Sequence, residues 1–181
     1  AASADEYYIT WDRRDNKDTE ISLIKGHKDS NNIHNATQLD KVNNEGIGGG
    51  ESQVAADANQ VIVSWTSLVP IDKKYVYISS SMNNGNDFGD NIPLSSTNSS
   101  NVENIIINDN SYIVWQDNIE GNQDIFYTKS NANGTSIDEP INVSNNIGIS
   151  ECPSITVSTS GIHMIWEDDT TGNHEVLYKR L

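Results

Sequence analysis

Four tryptophans, Trp11, Trp65, Trp115 and Trp166, stand 54, 50 and 51 residues apart. A period of that size marks a repeat architecture, in which one unit cannot bury its own apolar face and must stack on a neighbour. Each Trp ends or nearly ends a short run of strand character: YYITW at 7–11, VIVSW at 61–65, YIVWQ at 112–116 and HMIWE at 163–167. Nine residues after each Trp, at Glu20, Lys74, Asp124 and Glu175, a second such run begins: ISLIK, YVYIS, IFYTK and VLYKR. Alternation over four to six residues between turn signals reads as a strand. The linkers DRRDNKDT, LVPIDK, DNIEGNQ and DDTTGNH are rich in turn formers, so each pair of runs reads as a hairpin. SQVAADA, VENIIIN and PSITVST supply a strand before a hairpin, and TQLDKV, NIPLSS and EPINVS a strand after one. Four antiparallel strands in about 50 residues predict an all-β fold, a β-propeller of four-stranded blades. Trp11, Trp65, Trp115 and Trp166 are expected to pack between blades.

The repeat also divides the chain. It predicts blade 1 at residues 1–46, blade 2 at 47–98, blade 3 at 99–148 and blade 4 at 149–181. Aligned on the Trp residues, blade 1 begins inside its own first strand and blade 4 stops after its third. The count is about three and a half blades. The expectation is a segment of one larger propeller of six to eight blades, with a small propeller completed by oligomerisation as the alternative. The glycine run at 46–51 has neither the GK[ST] ending nor the following helix of a phosphate loop, and is expected to be a flexible connection between blades.

Charge narrows the partners. Acidic residues outnumber Lys and Arg by 26 to 11, for a formal charge of −15. Nucleic acid is excluded as a partner, because binding its backbone needs clustered Lys and Arg. No apolar run approaches the roughly 20 residues of a membrane helix. The single cysteine, Cys152, can form neither an internal disulfide nor a zinc site alone, and His27, His34, His163 and His174 lack metal-binding spacing.

A turn motif points to a known group. Ser81, Asn83, Gly85 and Phe88 follow the pattern S-x-D-x-G-x-x-[FW], with Asn in the Asp position; Ser130, Gly134 and Ile137 follow it again, with Ala132 there. In such a turn the Ser and Asp or Asn side chains cap backbone groups and Gly supplies positive φ. Together with W-x-D-x-x-x-G-N-x-[DE]-[IV]-x-[YF]-x-[KR]-S at Trp115–Ser130, nearly repeated from Trp166, the chain resembles the BNR/Asp-box, sialidase-like propeller repeat proteins of secreted and surface type. That resemblance implies an extracellular or cell-surface location. It also brings the sialidase three-arginine site to mind, but of Arg13, Arg14 and Arg180 two are adjacent on one segment, so no arginine triad carries over.

No catalytic residue emerges from spacing. Asp12, Asp117, Glu167, Asp168 and Asp169 follow the repeat tryptophans and offer carboxylates for glycosidase chemistry, but their equivalent placement reads as turn capping or an acidic rim. Asp12, Asp15 and Asp18, and Asp117 with Asp124, are candidate calcium ligands, since calcium takes several oxygen donors; no other cofactor is expected. Asn35, Asn98, Asn133 and Asn142 head N-x-[ST] sequons and are candidate glycosylation sites. The functional expectation is a non-catalytic extracellular binding or scaffolding propeller, partnered by a protein, a glycan or further blades of its own chain. The alternatives are a sialidase-like glycoside hydrolase and a structural subunit of a surface layer, filament or membrane-bound complex.

Overall fold

The computed structural model describes residues 1–3, 5–14, 19–29, 37–39, 42, 48–67, 73–119, 121–131 and 133–181, with backbone alone at 14 and 37–39. The described residues form four antiparallel sheets and no helix. The first holds β1 (Glu6–Arg14), β2 (Thr19–His27) and β3 (Thr37–Leu39). The second holds β4 (Gly49–Asp57), β5 (Gln60–Ser67), β6 (Val76–Ser81) and β7 (Ile92–Pro93). The third holds β8 (Ser100–Ile107), β9 (Asn110–Asp117), β10 (Asp124–Asn131) and β11 (Ile141–Asn142), and the fourth β12 (Ser150–Ser158), β13 (Gly161–Asp168) and β14 (Glu175–Arg180). Every sheet is a simple meander, the form of a propeller blade.

Local chemistry explains the turns. Asn108 and Asp109 both have positive φ (50° and 59°) in the two-residue turn from β8 to β9, which suits the right-handed twist of the flanking strands. After β6, the Ser81 hydroxyl accepts the Gly85 N–H at 2.9 Å and Asn83 Oδ1 accepts the Asp87 N–H at 3.0 Å, with Gly85 at φ 71°. In the equivalent turn after β10, Asn131 takes over the capping: its Oδ1 accepts the Ser136 N–H at 3.0 Å, while the Ser130 hydroxyl donates instead to the Asn131 carbonyl.

The core lies between sheets. One cluster joins Tyr8, Ile21 and Leu23 of the first to Val61, Val63 and Trp65 of the second. A second joins Ile62, Val76 and Ile78 to Ile113, Trp115 and Phe126. A third joins Val114, Ile125 and Tyr127 to Met164 and Trp166. Each interface therefore sets the Trp-bearing face of one sheet against the opposite face of the sheet before it. Both faces of β5 are consequently buried along its length, where alternation alone suggests one. Full burial of each such side chain contributes about 1.5–3 kcal/mol, more than a typical net hydrogen bond.

Three features depart from the sequence expectation. β7 and β11 have only two residues each, because Pro93 and the turns that follow supply few ladder donors. The glycine run is not a loose connection where it is described: Gly49 and Gly50 are buried and open β4, with Gly49 against Ile21 and Trp65. Trp11 is only half-buried, since among the described residues no sheet covers its face of the first blade.

Candidate functional site

The first strands β4, β8 and β12 lie next to one another in succession, and each carries the same irregularity. Register slips between Gly50 and Gln53, between Ser100 and Glu103, and between Glu151 and Ser154. Within these bulges Glu51, Asn101 and Cys152 have φ of 57°, 51° and 52°. All three stand 14 residues before a repeat Trp. Left-handed backbone at a non-glycine residue costs of order 1–3 kcal/mol and is held only where surroundings over-determine it. Here the surroundings are the neighbouring sheet. The Glu51 N–H donates to Asp12 Oδ2 at 2.9 Å, the Asn101 N–H to Glu51 Oε2 at 3.3 Å, and the Cys152 N–H to Gln116 Oε1 at 3.0 Å. Thr66 Oγ1 also reaches Glu51 Oε2 (3.2 Å), Asn101 Nδ2 reaches Gln116 Oε1 (2.7 Å), and Gln116 Nε2 reaches Ser100 Oγ (2.9 Å). The bulges thus join one rim of polar side chains across all four sheets, at the end where the loops from β5 to β6 and from β7 to β8 emerge.

Carboxylates concentrate where this rim reaches the fourth sheet. Glu151 and Glu167 are direct cross-strand partners on β12 and β13. Glu167 Oε1 lies 2.7 Å from His174 Nδ1 in the turn before β14. One donor atom from each of Glu151, Glu167 and His174 falls within 4.8 Å of the others, the one such group of three among the described residues. Two carboxylates and an imidazole can exchange protons with a bound molecule, or hold a borderline divalent cation that accepts mixed oxygen and nitrogen donors. They offer too few oxygens for calcium. The exposed Cys152 stands beside them; partial desolvation and the charges of Glu151 and Glu167 push its thiol up, which disfavours the thiolate.

Among the calcium candidates that are described, Asp117 and Asp124 are direct cross-strand partners on β9 and β10, and Asp12 stands apart on the first sheet. Asp12 binds backbone N–H groups of the second sheet. Asp117 is buried and accepts from Thr97 Oγ1, from Ser99 Oγ at 2.7 Å and from Trp115 Nε1 at 3.2 Å. Asp124 is buried and accepts from Asn142 Nδ2 at 2.9 Å and Ser144 Oγ at 2.7 Å. Oxygens so occupied tie strands to loops. Asp15 and Asp18 lie outside the described residues, as does Asn35 of the sequons. Asn98 and Asn133 are exposed, whereas the Asn142 amide that a glycan would occupy is engaged with Asp124.

Asp168 repeats the Asp117 arrangement in the fourth sheet. It accepts from Trp166 Nε1 (3.3 Å), Ser150 Oγ (2.7 Å), Asn146 Nδ2 (2.7 Å) and the Thr170 N–H (3.0 Å). Burial pushes its carboxyl up, but the donors from Thr170, Ser150 and Asn146 outweigh that and hold it well below the usual carboxylate range. In the second sheet the same offset carries Ser67, and Trp65 Nε1 is left without an acceptor. Of the carboxylates after the repeat tryptophans, Glu167 alone joins a cluster open to solvent. Its partners Glu151 and His174 escaped sequence reasoning; the signal for the bulges was the constant 14-residue offset.

No family model matches the chain, and no curated protein matches it. Solved structures do resemble it. A protein of unknown function from Dyadobacter fermentans superposes with a TM-score of 0.72 at 12% identity, over 96% of this chain and 49% of that one. The GH93 α-L-arabinofuranosidase of Fusarium graminearum gives 0.67 at 10% identity, over 96% and 58%. An endo-arabinase from Bacteroides thetaiotaomicron gives 0.57 at 11%, over 100% and 72%. The chain thus spans about half the length of the first of these and less than two thirds of the second. At such identities the likeness establishes the propeller fold alone, and no BNR repeat is matched. It also corrects the expected function. The non-catalytic binding or scaffolding reading gives way, because named structural neighbours are glycoside hydrolases, and the hydrolase alternative accords with them better.

Proposed function

We propose that the chain belongs to a carbohydrate-active β-propeller that hydrolyses glycosidic bonds. The observation that carries this reading is the facing pair Glu151 and Glu167, set with His174 at the open end of the innermost strands. Glycoside hydrolysis needs two carboxyl groups, one to protonate the departing oxygen and one to act as nucleophile or to activate water. In this assignment Glu167, held by His174, is the nucleophile or base, and Glu151 delivers the proton. The polar rim through Glu51, Asn101 and Gln116 supplies hydrogen-bonding groups suited to sugar hydroxyls. The fold neighbours favour arabinose-containing glycans over sialosides, and Arg13 and Arg180 stand on sheets at opposite ends of the row. A glycan polymer as substrate accords with an extracellular or cell-surface location.

The test is release of aryl-arabinofuranoside and aryl-xyloside chromophores, and of reducing ends from arabinan and xylan, by the chain and its Glu151→Gln and Glu167→Gln variants. Turnover should fall roughly 10²–10⁴-fold in each variant, with unchanged circular dichroism and melting. Glycan binding without any turnover would restore the binding reading and refute this one.

A further inference from the structure

The second and third sheets each pack against a sheet on both sides. At the end away from the polar rim they part around a hollow of about 290 Å³. The second sheet lines it with Gln60, at the start of β5, and Met82, just after β6. The third lines it with Asp109, in the turn from β8 to β9, and with Asn131 and Asn133 at and beyond the end of β10. The two sides are tied together, since Ser80 Oγ donates to the Asn133 carbonyl at 2.8 Å. Gln60 is only 6% exposed. Its Nε2 donates to Asp109 Oδ1 at 2.6 Å, and because a carboxylate only accepts, this bond fixes which way the amide lies. Gln60 Oε1 is then left buried without a partner. A buried acceptor left unpaired forfeits the hydrogen bonds it makes in water, so an occupant that donates to it restores them. The Asn131 amide is spent on its own turn, with the Ser136 N–H and Thr135 Oγ1. Asn133 Oδ1 accepts from the Thr135 N–H at 3.1 Å and from Thr135 Oγ1 at 2.7 Å, which leaves Nδ2 as the donor not engaged there.

The hollow therefore offers two acceptors, Gln60 Oε1 and the Asp109 carboxylate, one donor, Asn133 Nδ2, and the thioether side chain of the half-exposed Met82. A cation would use the acceptors and leave the donor idle. An anion would meet Asp109 and a chain charge of −15. Neighbouring hydroxyls both donate and accept, and the carbons that bear them are apolar enough to lie on Met82. We infer that this hollow binds a sugar residue through two adjacent hydroxyls, as a second point of glycan contact. Eight residues of β5 separate Gln60 from Ser67 at the rim, roughly 20 Å of strand, so a glycan held here does not occupy the Glu151–Glu167 site. The choice of an arabinose-containing probe rests on the hydrolase reading; recognition of hydroxyls does not.

The chain has two methionines, which makes the test direct. Met82 lines the hollow, whereas Met164 is fully buried between the third and fourth sheets. Carbon-13 labelling of the methionine methyl groups thus gives one reporter and one internal control. Arabinotriose is titrated into the Glu167→Gln chain, which hydrolyses it too slowly to consume it. The expected result is a saturable shift of the Met82 methyl resonance while that of Met164 stays in place. Binding should weaken about tenfold or more with Asp109→Gly added. Glycine suits the left-handed backbone at this position (φ 59°), so the turn is kept, and an unchanged Met164 resonance checks the fold. Gln60→Leu, similar in size but without the acceptor, should weaken binding as well. A Met82 resonance that ignores arabinotriose overturns the inference. So does a shift that Asp109→Gly leaves intact, since the sugar then sits elsewhere. A shift with methylammonium or calcium chloride but not with the sugar also overturns it, and makes the hollow a cation site. None of these outcomes bears on Glu151 and Glu167, which turnover by the wild type reads separately.

Discussion

Replacing Asp168 by Asn tests how the fourth sheet is held. The wild-type carboxylate accepts four hydrogen bonds at 2.7–3.3 Å from Trp166, Ser150, Asn146 and Thr170, in a site with almost no solvent. Hydrogen bonds to a charged group contribute about 1.5–3 kcal/mol each, though not additively. The amide keeps the shape and one acceptor oxygen, but turns an N–H₂ toward donors that need acceptors. A loss of about 2–4 kcal/mol at neutral pH follows, large on the scale of single substitutions. Linkage gives the test its direction. The folded carboxyl titrates well below its unfolded value near 3.9. Its contribution is therefore complete above the unfolded pKa and disappears as pH falls through the folded one. Urea unfolding of wild type and Asp168→Asn, from pH 7 down to pH 2, should give a difference that is constant above about pH 5 and shrinks steadily below about pH 4. A difference that is near zero at pH 7, or that ignores pH, refutes the assignment of these donors to an ionised carboxylate.

The Trp65 site provides the converse case: its indole N–H is buried without an acceptor, so Trp65→Phe should destabilise by about 1 kcal/mol less than Trp115→Phe in parallel urea titrations. Gly49→Ala should cost about 1–3 kcal/mol by overpacking, because a Cβ there would meet Ile21 Cδ1 at 2.6 Å and Trp65 Cδ1 at 2.9 Å; thermal melting reads it. Ser81→Ala removes the hydroxyl that accepts the Gly85 N–H and should lower stability by about 1 kcal/mol, whereas Ser130→Ala, whose turn is capped by Asn131, should cost visibly less in the same assay.

The second and third strands of each blade were legible because one bulky residue recurs where sheets must interlock, and interlocking fixes residue type. The first-strand bulges were not legible by composition. Glu51, Asn101 and Cys152 share a backbone conformation and a hydrogen bond from the main chain, neither of which constrains the side chain. The Glu151–Glu167 pair depends on that bulge as well, since a slip of one residue sends every side chain to the other face. Asp117 and Asp124 stand out in the sequence as oxygen-rich positions, but the groups that engage their oxygens do not. Their partners Ser99 and Ser144 lie 18 and 20 residues away, and only the folded sheet brings them close enough to occupy the oxygens.

The one-way order of the interfaces also governs how the chain assembles as it is made. Every core cluster among the described residues joins sheets adjacent in the chain, so the packing of these four sheets can follow synthesis blade by blade. The face of each finished blade that awaits the next is always the one bearing branched or aromatic side chains, such as Ile125 and Tyr127, and it stays bare until the next tryptophan leaves the ribosome. The nascent protein therefore carries a sticky front one sheet wide that moves forward with translation, and a pause just before Met164 and Trp166 emerge is the moment at which a chaperone would have most to shield.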